Sequence, residues 1–102
     1  MSASIHHLVV ESTAYACGVE ITDVLTISRR AMPTLARHMA WHLLKHRFGW
    51  PYTHIAHTFK VSPEAVRMGI ATMEDRIVTD PTVRAMVSAL HGADWSLRRG
   101  DG

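Results

Sequence analysis

The chain has 102 residues, 47% of hydrophobic type and 20% charged, with eleven basic residues against nine acids. That is the size and balance of one globular domain, and it excludes a disordered, collagen-like or low-complexity chain. With no apolar run near the ~20 residues of a membrane span, no secretory pattern in MSASIHHLVV and no GxxxxGK[ST] loop, the expectation is a cytoplasmic protein without membrane association or phosphate-loop nucleotide hydrolysis.

A first helix is predicted over Ala3–Ala16, with Ile5, Leu8, Val9 and Ser12 on one face and Tyr15 and Ala16 continuing it. Gly18 stops it by offering a left-handed backbone. Cys17 is the only cysteine, which excludes an internal disulfide and fits a reducing compartment. The segment VEITDVLTI predicts a short helical turn capped by Thr22, with Asp23 near its N-terminus and Val19, Ile21 and Leu25 as core anchors. Ile27–Met32 reads as a basic loop. Pro33 suits the first turn of a long helix that runs to about Phe48 and stops at Gly49. Leu35, Ala36, Met39, Ala40 and Leu43 give that helix a wide apolar stripe, extended by Trp41, Leu44 and Phe48, so it should be the central one.

A short helix over Tyr52–Phe59 and a turn at Lys60–Val61 follow. Ser62, Pro63 and Glu64 form an N-cap, first position and first turn for a helix to about Ile77, with Val66, Ile70, Met73 and Ile77 facing the core. Gly69 inside it costs roughly 1 kcal/mol of helix propensity against alanine, which predicts close packing there. Asp80 and Pro81 open a last helix, with Val83, Met86, Val87 and Leu90 as its stripe and Gly92 as its end. The fold class expected is therefore all-α, a compact helical domain of about five to six helices over residues 1–92. Residues 93–102, holding Trp95, Leu97, Arg98 and Arg99, are expected to form a flexible tail.

Charge is unevenly placed. Val24–Ala71 carries seven basic residues and one acid, a net of +6, and the remainder carries −4. A basic segment in a small domain points to an anionic partner, nucleic acid above all. The stretch YTHIAHTFKVSPEAVRMGI has helix-turn-helix logic: the small Ala56 lets two helices cross closely, Val61 plugs the corner and Ser62-Pro63 restarts the chain as a helix. Lys60 occupies a turn position that favours glycine. The outward residues at the start of the second helix are Ser62, Glu64, Arg67, Met68 and Ala71. Arg67 suits guanine or phosphate, Glu64 suits cytosine N4, and Met68 and Ala71 offer apolar contact only. That is a thin base-reading set, so phosphate contacts from Arg29, Arg30, Lys45 and Lys60 carry much of the expected affinity. His54 and His57 flank the first helix of the motif, within expected reach of phosphates.

Residues 19–90 resemble the C-terminal DNA-binding domain of the bacterial chromosomal replication initiator, DnaA. The resemblance rests on Asp23-Val24-Leu25-Thr26 followed by Arg29-Arg30, on Ala36-Arg37-His38-Met39-Ala40-Trp41-His42-Leu43, and on Tyr52–Phe59, which align without gaps. It implies a helix-turn-helix scaffold of initiator or Trp-repressor-like type, preceded by a basic loop at Arg29 and Arg30, with Arg37 as a further DNA contact. At the initiators' Asp-His-Thr-Thr group this chain has Ser62, Pro63, Glu64 and Ala65, with Val66 retained beyond them. The box-reading set is therefore not carried over. The implied function is a non-enzymatic, stand-alone double-stranded-DNA-binding protein, a regulator of replication or transcription of bacterial or phage origin. A second reading keeps the scaffold as a protein-interaction module for a replication-associated partner, motivated by Met68, Ala71 and Glu64. Monomer and homodimer both stay open.

No cofactor and no catalytic residue is expected, because no acid–base constellation or nucleotide loop is present. His38, His42 and His46 recur every four residues on the central helix, but that helix carries no aspartate or glutamate to complete a metal site, so no metal site is expected. Trp41 and Trp50 read as hydrophobic anchors rather than base-stacking platforms.

Overall fold

Local caps set the helix boundaries in the computed structural model, which describes residues 4–95. Helix α1 is Ile5–Cys17, α2 Ile21–Leu25, α3 Ala31–His46, α4 Tyr52–Phe59, α5 Pro63–Thr79 and α6 Pro81–Gly92, and no strand occurs among the described residues. Gly18 ends α1 at φ 68°, as the sequence requires. Ser62 Oγ accepts from Ala65 N–H at 3.0 Å to cap α5. Asp80 accepts from Thr82 and Val83 N–H at 3.0 and 3.3 Å to cap α6. The cap of α2 differs from expectation. Glu20, not Thr22, is its N-cap residue, and Glu20 N–H donates to Asp23 Oδ2 at 3.1 Å.

Helix α3 is central, packing on α1, α2, α4, α5 and α6. Leu35, Ala36, Met39, Ala40, Trp41, Leu43 and Leu44 are all buried on it, and meet Val9 and Val10 of α1, Ile55 of α4 and Val66, Ile70 and Met73 of α5. Three expected core positions are wrong. Tyr15 is 88% exposed, Ala16 is exposed and Leu25 is half exposed, while Thr13, Cys17 and Val24 are buried instead. Thr13 is admissible there because its hydroxyl donates to the Val9 carbonyl at 3.0 Å, one turn back. Burial of the lone Cys17 pushes its thiol pKa up, which makes it a small apolar filler.

The start of the expected tail is docked. Trp95 is buried, donates its indole N–H to the Leu90 carbonyl at 3.0 Å and meets Phe48 edge-on at 5.4 Å. The same carbonyl accepts from Ala93 N–H at 3.4 Å, so the indole adds a second bond at the end of α6. The rest of that expectation, residues 96–102, lies outside the described residues.

The tightest seam is between α3 and α5. A Cβ on Gly69 would sit 2.7 Å from Trp41 Cε3 and Cζ3 and 2.8 Å from His38 Cδ2. The Gly69→Ala variant should lose roughly 1–3 kcal/mol despite its better helix propensity, because a buried indole cannot yield. Urea unfolding checks this, and an unchanged or higher midpoint would refute it.

His42 on α3 is also buried. Burial first, then the charges of His46 and His91, push its pKa down from 6.5 to about 4. His46 from α3, Glu74 from α5, and Arg84 and His91 from α6 are the titratable and charged groups around it. The unfolded chain therefore holds more protons than the folded one between those two values. Stability is full above 6.5 and is lost as pH falls toward 4. In metal-free buffer Tm should begin to drop below about pH 6.5, ahead of the ordinary carboxylate range. A flat Tm from pH 6.5 to 5 would contradict it.

Candidate nucleic-acid interface

The corner expected to face a nucleic acid is built from α4, residues 60–62 and α5. Ile55, Ala56 and Phe59 bury the inner side of α4, and Val61 packs against the core in the turn. Lys60 takes the left-handed conformation, φ 59° and ψ 46°, the one positive-φ non-glycine residue among those described. That backbone lets Val61 N–H reach the Ala56 carbonyl at 3.0 Å and closes α4. The strain of a Cβ there is about 1 kcal/mol.

All five residues assigned to the outer face of α5, namely Ser62, Glu64, Arg67, Met68 and Ala71, are exposed. Met68 stands out at 60% exposure. Arg67 does not project as an unpaired cation: its guanidinium donates to both carboxylate oxygens of Glu64 one turn back. That bond holds the Glu64 carboxyl below its usual range. The two charges cancel, so the face is close to neutral and any base contact by Arg67 must first break the pair.

One turn beyond Met68, α5 meets the basic loop. A cleft of about 240 Å³ is lined by Arg29, Arg30, Thr34 and His38 on one side and by Thr72 and Arg76 on the other. Arg29 and Arg30 are exposed and belong to no ion pair among the described residues. The loop holding them is shaped by Ser28, whose hydroxyl accepts from Arg30 N–H at 3.1 Å and whose carbonyl accepts from Thr34 Oγ1 at 2.9 Å. Arg76 is tethered to Asp80 at 3.3 Å, which leaves the cleft its positive wall on the loop side. Thr72, His38 and Arg76 had not been assigned to this surface. They lie on two helices whose facing is decided by the Gly69 seam, so no local signal marks them.

The remaining basic residues assigned to DNA contact are placed differently. Arg37 is buried, contrary to expectation. Its Nε donates to the Val24 carbonyl at 3.1 Å, and its guanidinium carbon lies 5.9 Å from the Trp41 ring centroid. It ties α3 to the C-terminal turn of α2, whose carbonyls lack helical partners. Burial lowers its pKa from the ordinary guanidinium value. Lys45 is half-buried, with Nζ 4.6 Å from the centre of the Tyr52 ring. Lys60 is exposed. His54 and His57 are exposed on α4, and Trp50 packs on the His54 ring at 4.1 Å. Trp41 is buried, which withdraws it from base stacking.

No known protein family, curated protein or solved structure matches this chain. The site therefore rests on its own geometry: an exposed, nearly neutral helix face, a basic loop beside it, and a strained lysine at the corner. Lys60→Gly separates fold from surface charge. It should raise stability by about 1 kcal/mol in thermal unfolding by relieving the left-handed strain, while weakening binding to any duplex that uses the Lys60 charge. A drop in Tm would show that the Lys60 side chain stabilises the turn.

Proposed function

We propose that this chain is a non-enzymatic double-stranded-DNA-binding domain of the replication-initiator type, acting as a regulator of replication or transcription. The observation that carries the reading is the basic loop, with Arg29 and Arg30 outside any ion pair among the described residues, set against the outer face of α5 across the cleft that Thr72 and His38 line. In this arrangement the N-terminal half of α5 lies in the major groove, with Ser62, Glu64, Arg67, Met68 and Ala71 toward the bases. Arg29, Arg30 and Lys60 hold the phosphates on either side. Affinity comes chiefly from phosphate contacts, because Arg67 is neutralised by Glu64. Sequence preference is correspondingly modest.

Fluorescence anisotropy on two labelled duplexes, one with an initiator-type box and one scrambled, tests this across a salt series. Binding should weaken steeply with salt. The Arg29→Ala/Arg30→Ala variant should weaken both duplexes alike and reduce the log–log salt slope by about two. Arg67→Ala should change the ratio between the duplexes. Unaltered binding by the triple alanine variant would overturn the proposal.

One observation favours a second reading, a protein-docking module on the same scaffold. Met68 is 60% exposed beside a neutralised ion pair, which is the chemistry of a protein contact more than of a base contact. A replication-associated protein lost on Met68→Glu, with duplex binding unchanged, would select it.

A further inference from the structure

On the groove between α3, α5 and α6, away from the basic cleft, three ligating side chains converge, with a further imidazole behind one of them. His42 and His46 lie one turn apart on α3, Glu74 comes from α5 and His91 from α6. One ligand atom from each of His42, His46 and Glu74 lies within 4.8 Å of the other two. His46 Nε2 is 3.2 Å from Glu74 Oε2, and His91 Nε2 is 3.3 Å from His42 Nδ1. The His42 ring is 4.5 Å from that of His46 and 5.3 Å from that of His91.

We propose that His42, His46 and Glu74 bind a divalent transition-metal ion, zinc by preference, which pins α3 to α5, while His91 from α6 orients the His42 ring through its Nδ1. The distances argue for it. A tetrahedral zinc ion with bonds of about 2.0–2.1 Å separates its ligands by roughly 3.3 Å, close to the spacing of His46 Nε2 and Glu74 Oε2 here. The ligand set argues for it as well, since imidazole nitrogen with one carboxylate suits zinc, nickel and copper rather than calcium or magnesium. Helical spacing supplies the first two ligands without strain, because residues four apart share a face. The carboxylate that α3 lacks comes from α5. His46 and Glu74 are exposed, so an ion has a path from solvent, while the apolar Ile77 and Val87 line the same groove and limit competing water. The site is independent of the DNA reading, which uses none of these four residues.

The test uses the full-length chain without an affinity tag, freed of metal by a chelator and titrated with zinc sulfate in a calorimeter. One ion per chain should bind at micromolar concentration or tighter. At about a hundredfold excess over Kd, zinc should raise Tm by roughly 10 °C or more, since it binds the folded form alone. His46→Gln and Glu74→Gln are the chosen variants, because both residues are exposed and their loss leaves the core intact. Each should weaken zinc binding at least tenfold with Tm unchanged in the metal-free state. His7→Gln removes another exposed histidine–glutamate pair, His7 with Glu11 at 3.2 Å, and should leave zinc binding unaltered. Cobalt(II) should give the intense visible absorption of a tetrahedral site. Weak octahedral bands, no stoichiometric zinc binding, or binding undiminished in His46→Gln and Glu74→Gln would each overturn the proposal.

Discussion

The close approach of α3 and α5 at Gly69 is the constraint on which the rest of this molecule depends. A helix pair separated only by a glycine backbone and an indole edge has one register, because sliding either helix by a residue drives a side chain into Trp41. Fixing that register fixes two surfaces at once. One turn toward the N-terminus of α3, Leu35 and His38 face Thr72, Met73 and Arg76 and form the basic cleft with the loop arginines. Just past Trp41 in the other direction, His42 and His46 meet Glu74. Both candidate sites are products of one packing contact.

Electrostatics follow the packing rather than the composition. The central segment has a net charge of +6, yet several of its cations are engaged by other groups of the chain. Arg37 points inward to a backbone carbonyl, Arg67 folds back on Glu64, and Lys45 lies over an aromatic ring. Arg47 donates to the His91 carbonyl at 3.3 Å and lies over Phe48. Within this segment Arg29, Arg30 and Lys60 are exposed and outside any ion pair among the described residues, and all three sit in connections rather than in helices. A positive charge on a loop stays solvated and reaches outward, whereas Arg37 on the central helix is drawn to a buried carbonyl.

The sequence by itself determined the helices and their ends. Gly18, Ser62-Pro63 and Asp80-Pro81 act through hydrogen bonds to neighbours within a few residues, so their effect is local and readable. The buried stripes of α3 and α5 were readable for the same reason, since helical period alone selects them. Gly69 announced a close contact because nothing else justifies glycine inside a helix, but not what it would touch. What only the tertiary structure decided depends on partners far away in the chain. Val24 rather than Leu25 faces inward because α2 is a single short helix whose tilt is set by α1 and α3. Tyr15 projects outward because α1 turns its Thr13 and Cys17 side to the core. Arg37 is buried because its partner is the Val24 carbonyl, thirteen residues earlier, and Trp95 is ordered because Phe48 and the end of α6 receive it. The histidines of α3 have no carboxylate nearby in sequence, since Glu74, the one that meets His46, lies 28 residues beyond it. Spacing reveals only neighbours along one helix. Which helices face each other is settled by side-chain volume at the seams, and here that volume is the missing Cβ of Gly69.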